Sequence, residues 1–195
     1  MSSFDLGAFD PPLTVPVLQS GPVLLRPFEL SDLDLVRQAA PDSYITAITT
    51  VPVHYSDDEG RGFIERQHER ASGGHGFSFV IAESAEPAVG LGSIGLWLRE
   101  IESGRASIGY WLIPGARGRK LAGWALRGVV AFAFGQLSIP RLHLFVEPWN
   151  AASACTAEAA GFTREALLRG WERVGGEQRD AFCYVLLHRE WSAGE

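Results

Sequence analysis

The stretch Ile108–Ala122, which reads IGYWLIPGARGRKLA, joins an apolar strand-like run to the longest helical pattern in the chain through a turn rich in glycine and arginine. Amides at a helix N-terminus carry partial positive charge and have no partner within the helix. Gly118 leaves room for a ligand beside the main chain. The cations of the turn are Arg117, Arg119 and Lys120. The turn therefore predicts a phosphate site with pyrophosphate as its natural ligand, although its composition alone fits a solvated basic turn equally well.

This turn does not fit the two common nucleotide-binding patterns. A dinucleotide fingerprint needs three spaced glycines, and a Walker loop needs Ser or Thr after Gly-Lys, whereas Leu121 follows Lys120 here. ATP and NAD are therefore disfavoured as ligands.

The composition is that of one globular domain, with 195 residues, 46% hydrophobic and 21% charged, and a formal net charge of −6. The acidic balance and the lack of a basic stripe interleaved with aromatics disfavour nucleic acid as a partner. No apolar run reaches the roughly 18 residues of a membrane span, and the N-terminus lacks the basic start of a signal peptide. The two cysteines do not make a disulfide framework, and the five histidines are not spaced as a metal site. We expect a cytoplasmic protein that uses neither a membrane nor a metal.

The first twenty residues contain three prolines and no sustained period, which predicts an extended arm over 1–20 and a folded domain over 21–195. Phe4, Phe9 and Leu13 are the apolar residues of this arm, and they pack either on the domain or on a second subunit. A homodimer built through the arm is therefore one alternative.

Hydrophobic periodicity predicts one mixed α/β domain in the order β-α-α-β-β-β-α-β-α-β-β. Ser31 is the predicted N-cap of the first helix, and Ser56 begins a capping box that opens the second. The remaining helices are predicted over 121–137 and 150–160, and the first of these has an apolar stripe of Leu121, Ala125, Gly128 and Phe132. The strands are predicted over 23–27, 76–81, 89–98, 106–113, 141–147, 162–171 and 179–187. No helix is predicted over 44–55, which is poorly periodic.

Several motifs together resemble the GNAT acetyltransferase superfamily, in its branch containing RimJ and RimL. The coenzyme A loop of that family has Arg or Gln, two residues, Gly, one residue, then Gly or Ala, and Arg117–Ala122 is similar to it. The other similar segments are Asn150–Ser153 (an Asn-x-x-Ser element), Ala159–Phe162, Leu24–Pro27 and Arg179–Tyr184. The resemblance covers roughly residues 22–191.

The resemblance implies a mostly antiparallel mixed sheet with flanking helices and a central parallel strand pair, 108–113 and 142–146, that splays apart to hold a thioester. It also implies transfer of an acetyl group from acetyl-CoA to a primary amine by direct attack in a ternary complex. The acceptor would be a protein N-terminus, such as that of a ribosomal protein, or a small amine. A non-catalytic acyl-CoA-binding or protein-interaction module is the alternative.

By motif position, the resemblance implies a set of residues that bind coenzyme A. They are Trp111, Leu112, Ile113, Arg117, Gly118, Arg119, Lys120, Leu121, Ala122, Asn150 and Ser153. Lys120 departs from the family, which has glycine at its position. We expect Lys120 to be helical already, where lysine costs little and adds a cation.

The resemblance also implies Ser153 and Glu172 as catalytic residues, with Ser153 stabilising the leaving sulfur and Glu172 accepting the proton of the amine. Helix capping by Ser153 and a solvated surface role for Glu172 are the plainer alternatives. Glu100 and Glu102 are weaker candidates for binding the ammonium group. Cys155 is expected to be a small buried thiol and not a nucleophile.

Overall fold

The computed structural model describes residues 6–192, and within them eight strands form one mixed sheet. The strands are β1 (Leu18–Ser20), β2 (Val23–Arg26), β3 (Gly76–Glu83), β4 (Glu86–Trp97), β5 (Arg105–Leu112), β6 (Arg141–Val146), β7 (Thr163–Val174) and β8 (Glu177–Leu187). The α-helices are α1 (Leu33–Ala39), α2 (Ser43–Ile48), α3 (Asp57–Ser72), α4 (Leu121–Gly135) and α5 (Ala151–Ala159). The strands lie in the order β1-β2-β3-β4-β5-β6-β8-β7, and among these described strands β5 and β6 are the only parallel neighbours.

Helices cover both faces of the sheet. On one face, the hydroxyl of Ser78 in β3 donates to Gln67 of α3 at 3.2 Å, and α1 packs beside α3. On the other face, Phe132 of α4 packs edge-on against Phe77 and Phe79. The residues predicted to form the apolar stripe of α4 are all buried, namely Leu121, Ala125, Gly128 and Phe132.

One predicted helix start differs from the structure, and another agrees with it. Ser31 is not the N-cap of α1, because residues 30–32 form a 3-10 turn and Asp32 precedes the helix. The carboxylate of Asp32 is buried and binds the guanidinium of Arg26 at 2.7 Å and the amide of Glu29 at 2.8 Å. At the start of α3, by contrast, the Ser56 hydroxyl accepts from the amide of Glu59, which confirms Ser56 as the N-cap of the predicted capping box.

Helix α2 lies in the segment for which no helix was predicted. Asp42 is its N-cap and accepts from the amides of Tyr44 and Ile45, each at 3.0 Å. The helix has only six residues, too few to show a clear period.

The parallel pair at the centre of the sheet splays apart, as predicted. Strands β5 and β6 share only three residue pairs, which begin at Arg105 with Arg141 and end at Ser107 with His143. Beyond that point β5 continues its pairing with β4 as far as Leu112, and β6 continues with β8 as far as Val146. The two strands therefore border a wedge whose inner main-chain groups have no ladder partner.

The end of the predicted N-terminal arm joins the sheet as β1. Phe9 is buried, and Leu13 packs against the core. Phe4 lies outside the described residues, and the boundary between arm and domain stays a prediction. Between residues 6 and 192 no helix combines the length and apolarity that crossing a membrane requires.

Candidate active site

The turn between β5 and α4 contains two residues with left-handed backbones. Gly118 has φ +76°, and Lys120, the N-cap of α4, has φ +60° and ψ +12°. The expectation that Lys120 is helical is therefore wrong. The chain leaves Arg117 in an extended conformation and must turn sharply into α4, and this turn requires a positive φ at the position where the family has glycine. The amides of the first turn of α4 have no earlier helical turn to accept them.

Two of the three predicted cations of the turn are paired inside the protein. The guanidinium of Arg117 donates to the carbonyl of Leu112 at 3.1 Å and to the carboxylate of Asp42 at 2.6 Å. Arg119 binds Glu83 at 2.5 Å. Lys120 is exposed and forms no ion pair with any residue in the range 6–192. Among the three cations of the turn, Lys120 is therefore the one whose charge is available for a ligand.

The bond to Arg117 also ties the turn to α2. Burial alone would raise the pKa of Asp42, but the hydrogen bonds from the Ile45 amide and the Arg117 guanidinium outweigh it and lower the pKa overall. Asp42 therefore stays ionised, and it holds α2 against the turn.

A cavity of about 510 Å³, here called the loop cavity, lies between the turn, β5 and the start of α5. Most of the residues predicted to bind coenzyme A line it: Trp111, Leu112, Arg117, Gly118, Lys120, Leu121, Ala122, Asn150 and Ser153. Ile113 and Arg119 do not line it. Lys120 and other residues of the turn line the cavity together with Tyr110, Trp111 and Leu112 of β5. This combination suits a ligand with a phosphate group and a long, weakly polar arm.

Asn150 and Ser153 have different roles at the start of α5. The side-chain oxygen of Asn150 accepts from the amide of Ser153 at 3.1 Å, so Asn150 is the cap and Ser153 lies inside the first turn. The Ser153 hydroxyl is therefore not a capping group. It accepts from the hydroxyl of Tyr110 in β5 at 3.3 Å, and burial raises the pKa of Tyr110. Two hydroxyls thus meet beside the wedge, where they can donate to a developing negative charge.

A second cavity of about 790 Å³, here called the cleft cavity, lies on the α3 side of the sheet. Ile48, Tyr110 and Trp111 line both cavities, so the two meet at the wedge. Glu100 lines the cleft cavity and binds Arg105 at 2.9 Å, whereas Glu102 does not line it.

Glu172 and Trp171 line the cleft cavity from β7. Glu172 is exposed to solvent as well as lining the cavity. Its pKa is raised, first by burial in the cavity wall and then by the nearby carboxylate of Glu147. A carboxylate with a raised pKa is the form suited to accept a proton near neutral pH.

Sequence reasoning did not select Glu147 or Tyr44. Glu147 follows β6 directly and is 6% exposed, and one of its carboxylate oxygens has no hydrogen-bond partner among the described residues. Burial and a hydrogen bond with Glu147 raise the pKa of Tyr44. The only signal in the sequence was the position of Glu147 three residues before Asn150. Cys155, expected to be buried, is exposed because it lies on the solvent side of α5.

Comparisons with known proteins identify the fold and the family. The chain is 29% identical over 170 residues to the uncharacterized N-acetyltransferase p20 of Bacillus licheniformis, covering 86% of this chain and 94% of that protein. It shares its fold with RimJ of Mycobacterium smegmatis in complex with CoA-disulfide (TM-score 0.77, 23% identity, 92% and 89% of the two chains). It also shares its fold with a putative ribosomal-protein-serine acetyltransferase of Vibrio cholerae (TM-score 0.75, 20% identity, 89% and 99%). The family model described as an acetyltransferase (GNAT) domain matches residues 23–163, and the chain therefore belongs to the GNAT family of N-acetyltransferases, which use acetyl-CoA.

Proposed function

We propose that this protein acetylates a primary amine, on a protein N-terminus or a small molecule, by direct attack on acetyl-CoA in a ternary complex. The observation that carries the proposal is the wedge between β5 and β6, at which the loop cavity and the cleft cavity meet. Two substrates entering from opposite faces of the sheet would bring their reacting atoms together there.

The loop cavity would bind the acetyl donor. The free amides at the start of α4 and the charge of Lys120 suit its phosphates, and the unpaired main chain of β5 suits its amide-containing arm. Asn150, which caps α5, lines the same cavity. The thioester would then lie beside Tyr110 and Ser153.

The cleft cavity would bind the amine. An ammonium group has no lone pair, so it must lose a proton before or during attack. Glu172 is the proposed base, and its pKa is raised by burial and then by the carboxylate of Glu147. As the new bond between nitrogen and the acetyl carbon forms, the bond from that carbon to sulfur breaks. Ser153, hydrogen-bonded to Tyr110, would stabilise the departing thiolate.

Two measurements test the proposal. Calorimetry should show that acetyl-CoA binds, and a thiol-release assay with a panel of peptides and small amines should show turnover. Ser153→Ala should lower turnover without abolishing donor binding, and Cys155→Ala is the matched control because Cys155 is exposed on the same helix and lines neither cavity. No binding at millimolar acetyl-CoA would contradict the proposal. An inactive wild type that binds coenzyme A would instead favour a non-catalytic module.

A further inference from the structure

Three arginines stand together at the cleft cavity without an acidic partner. Arg66 and Arg70 lie one helical turn apart on α3, and Arg99 follows β4. Arg70 and Arg99 line the cavity. Within residues 6–192, no carboxylate lies within ion-pair distance of any of the three. The arginines that do form such pairs are Arg26, Arg37, Arg105, Arg117, Arg119, Arg141 and Arg179.

The protein holds these like charges close together. The guanidinium of Arg70 lies 4.8 Å from the ring centre of Trp97, and burial together with the charges of Arg66 and Arg99 lowers the pKa of Arg70. Like charges four residues apart on a helix repel each other. The Nε of Arg66 is buried and has no hydrogen-bond partner among the described residues. Arg66 donates to the carbonyl of Thr50, and Arg70 donates to the side chains of Gln67 and Thr50. The free protein thus leaves these charges without a carboxylate and the Nε of Arg66 without an acceptor among the described residues.

The acids of the same cavity do not neutralise this cluster. Glu100 is engaged by Arg105 at 2.9 Å and lies 3.6 Å from His143. Glu172 forms no ion pair with any arginine in the range 6–192, and its pKa is raised by burial and then by Glu147. The cavity therefore has a positive region around Arg70 and Arg99 and, apart from it, a negative region around Glu172.

The strand register gives the distance between the positive region and the reacting atoms. Trp97, under Arg70, pairs with Ser107 of β5, and Tyr110 lies three residues further along the same strand. At roughly 3.4 Å per residue, this places the cluster about 10 Å from the level of Tyr110. An extended tripeptide spans about the same distance between its amine and its carboxylate.

We propose that the acceptor is an amine that carries a carboxylate or phosphate about 10 Å from its nitrogen, with Arg70 and Arg99 binding this anion. The inference rests on the proposed function, because it takes the cleft cavity as the acceptor site. It narrows the acceptor from amines in general to short peptides with a free carboxylate or to protein N-termini with an acidic third residue.

The test measures binding of trialanine and of trialanine amide by calorimetry in the presence of coenzyme A, and acetyl transfer to both by thiol release. The two probes differ only in the charge at the far end. Trialanine should bind about tenfold or more tightly, and Arg70→Gln and Arg99→Gln should each remove most of that preference. Arg99 is exposed, so its substitution leaves the packing intact, and the exposed Arg61 of α3 provides Arg61→Gln as the control.

Pentapeptide amides with Asp, phosphoserine or Asn at the third position identify where the anion comes from. Preference for Asp or phosphoserine over Asn indicates a protein N-terminus, whereas preference confined to trialanine indicates a small peptide. Both results support the inference.

Binding and turnover separate the two proposals. Equal affinity for trialanine and its amide would overturn the inference, even if both are acetylated. Absence of binding of either peptide at millimolar concentration would also overturn it. A preference that survives both arginine substitutions would overturn it as well. Preferential binding of trialanine without acetyl transfer would support the inference and contradict the proposed function.

Discussion

Replacing Lys120 with glycine should increase the free energy of unfolding. A left-handed backbone at a residue other than glycine costs roughly 1–2 kcal/mol, and Lys120 has φ +60°. Glycine loses about 0.5–1 kcal/mol more chain entropy on folding than alanine does. The side chain of Lys120 is exposed and has no hydrogen bond or ion pair among the described residues that would be lost. The net expectation is a gain of about 0.5–1 kcal/mol, or about 1–4 °C in Tm for a domain of this size.

The measurement is urea or thermal unfolding of wild type, Lys120→Gly and Lys120→Ala. The alanine variant keeps the Cβ atom that causes the strain, so its stability should stay within about 0.5 kcal/mol of wild type. Gly118→Ala is the converse control, because φ is +76° there and an added Cβ would meet nothing within 4 Å. It should destabilise through the backbone alone. A glycine variant no more stable than the alanine variant would refute a left-handed Lys120.

Three further predictions follow from the site and the core. Ser153→Ala should lower kcat about 10²-fold with little change in the KM for acetyl-CoA, as measured by thiol release, and an unchanged kcat would exclude its role at the leaving sulfur. On the acid side of the pH profile, activity should fall as Glu172 becomes protonated. Because the pKa of Glu172 is raised, this fall should occur at a higher pH than for an ordinary glutamate. Glu147→Gln removes one cause of that raised pKa and should move this limb to lower pH, whereas an unmoved limb would exclude Glu172 as the base. Asp32→Ala leaves the buried guanidinium of Arg26 unpaired and should lower the free energy of unfolding by about 3–5 kcal/mol in urea titrations, and a loss below about 1 kcal/mol would contradict this reasoning.

Local signals in the sequence predicted most of the fold. The Ser56 cap and the apolar stripe of α4 depend on residues within a few positions of each other, and both are confirmed. Helix α2 was missed because its six residues are too few to show a period and because one of the bonds that hold it is not local. Its cap Asp42 binds Arg117, which lies 75 residues further along the chain.

The candidate site likewise combines features that short sequence motifs predict with features that depend on contacts between distant residues. The loop and the Asn-x-x-Ser element are short motifs that the sequence displays directly. The hydrogen bond from Tyr110 to Ser153 joins residues 43 positions apart, and it depends on how α5 packs beside β5. The backbone of Lys120 depends on how the turn must close, which the residue type does not reveal. The burial of Glu147 likewise follows from the fold and not from spacing.

The wedge divides the sheet into two leaves, each continuous in sequence. The first five strands form one leaf and the last three form the other, joined by three residue pairs and by the crossover through α4. Tyr110 and Trp111 belong to the first leaf, and Phe145 and Glu172 belong to the second. A fragment ending before β6 would retain the turn between β5 and α4 but only one wall of the cleft cavity, so the two halves of the chain must assemble before the proposed acetyl transfer can occur.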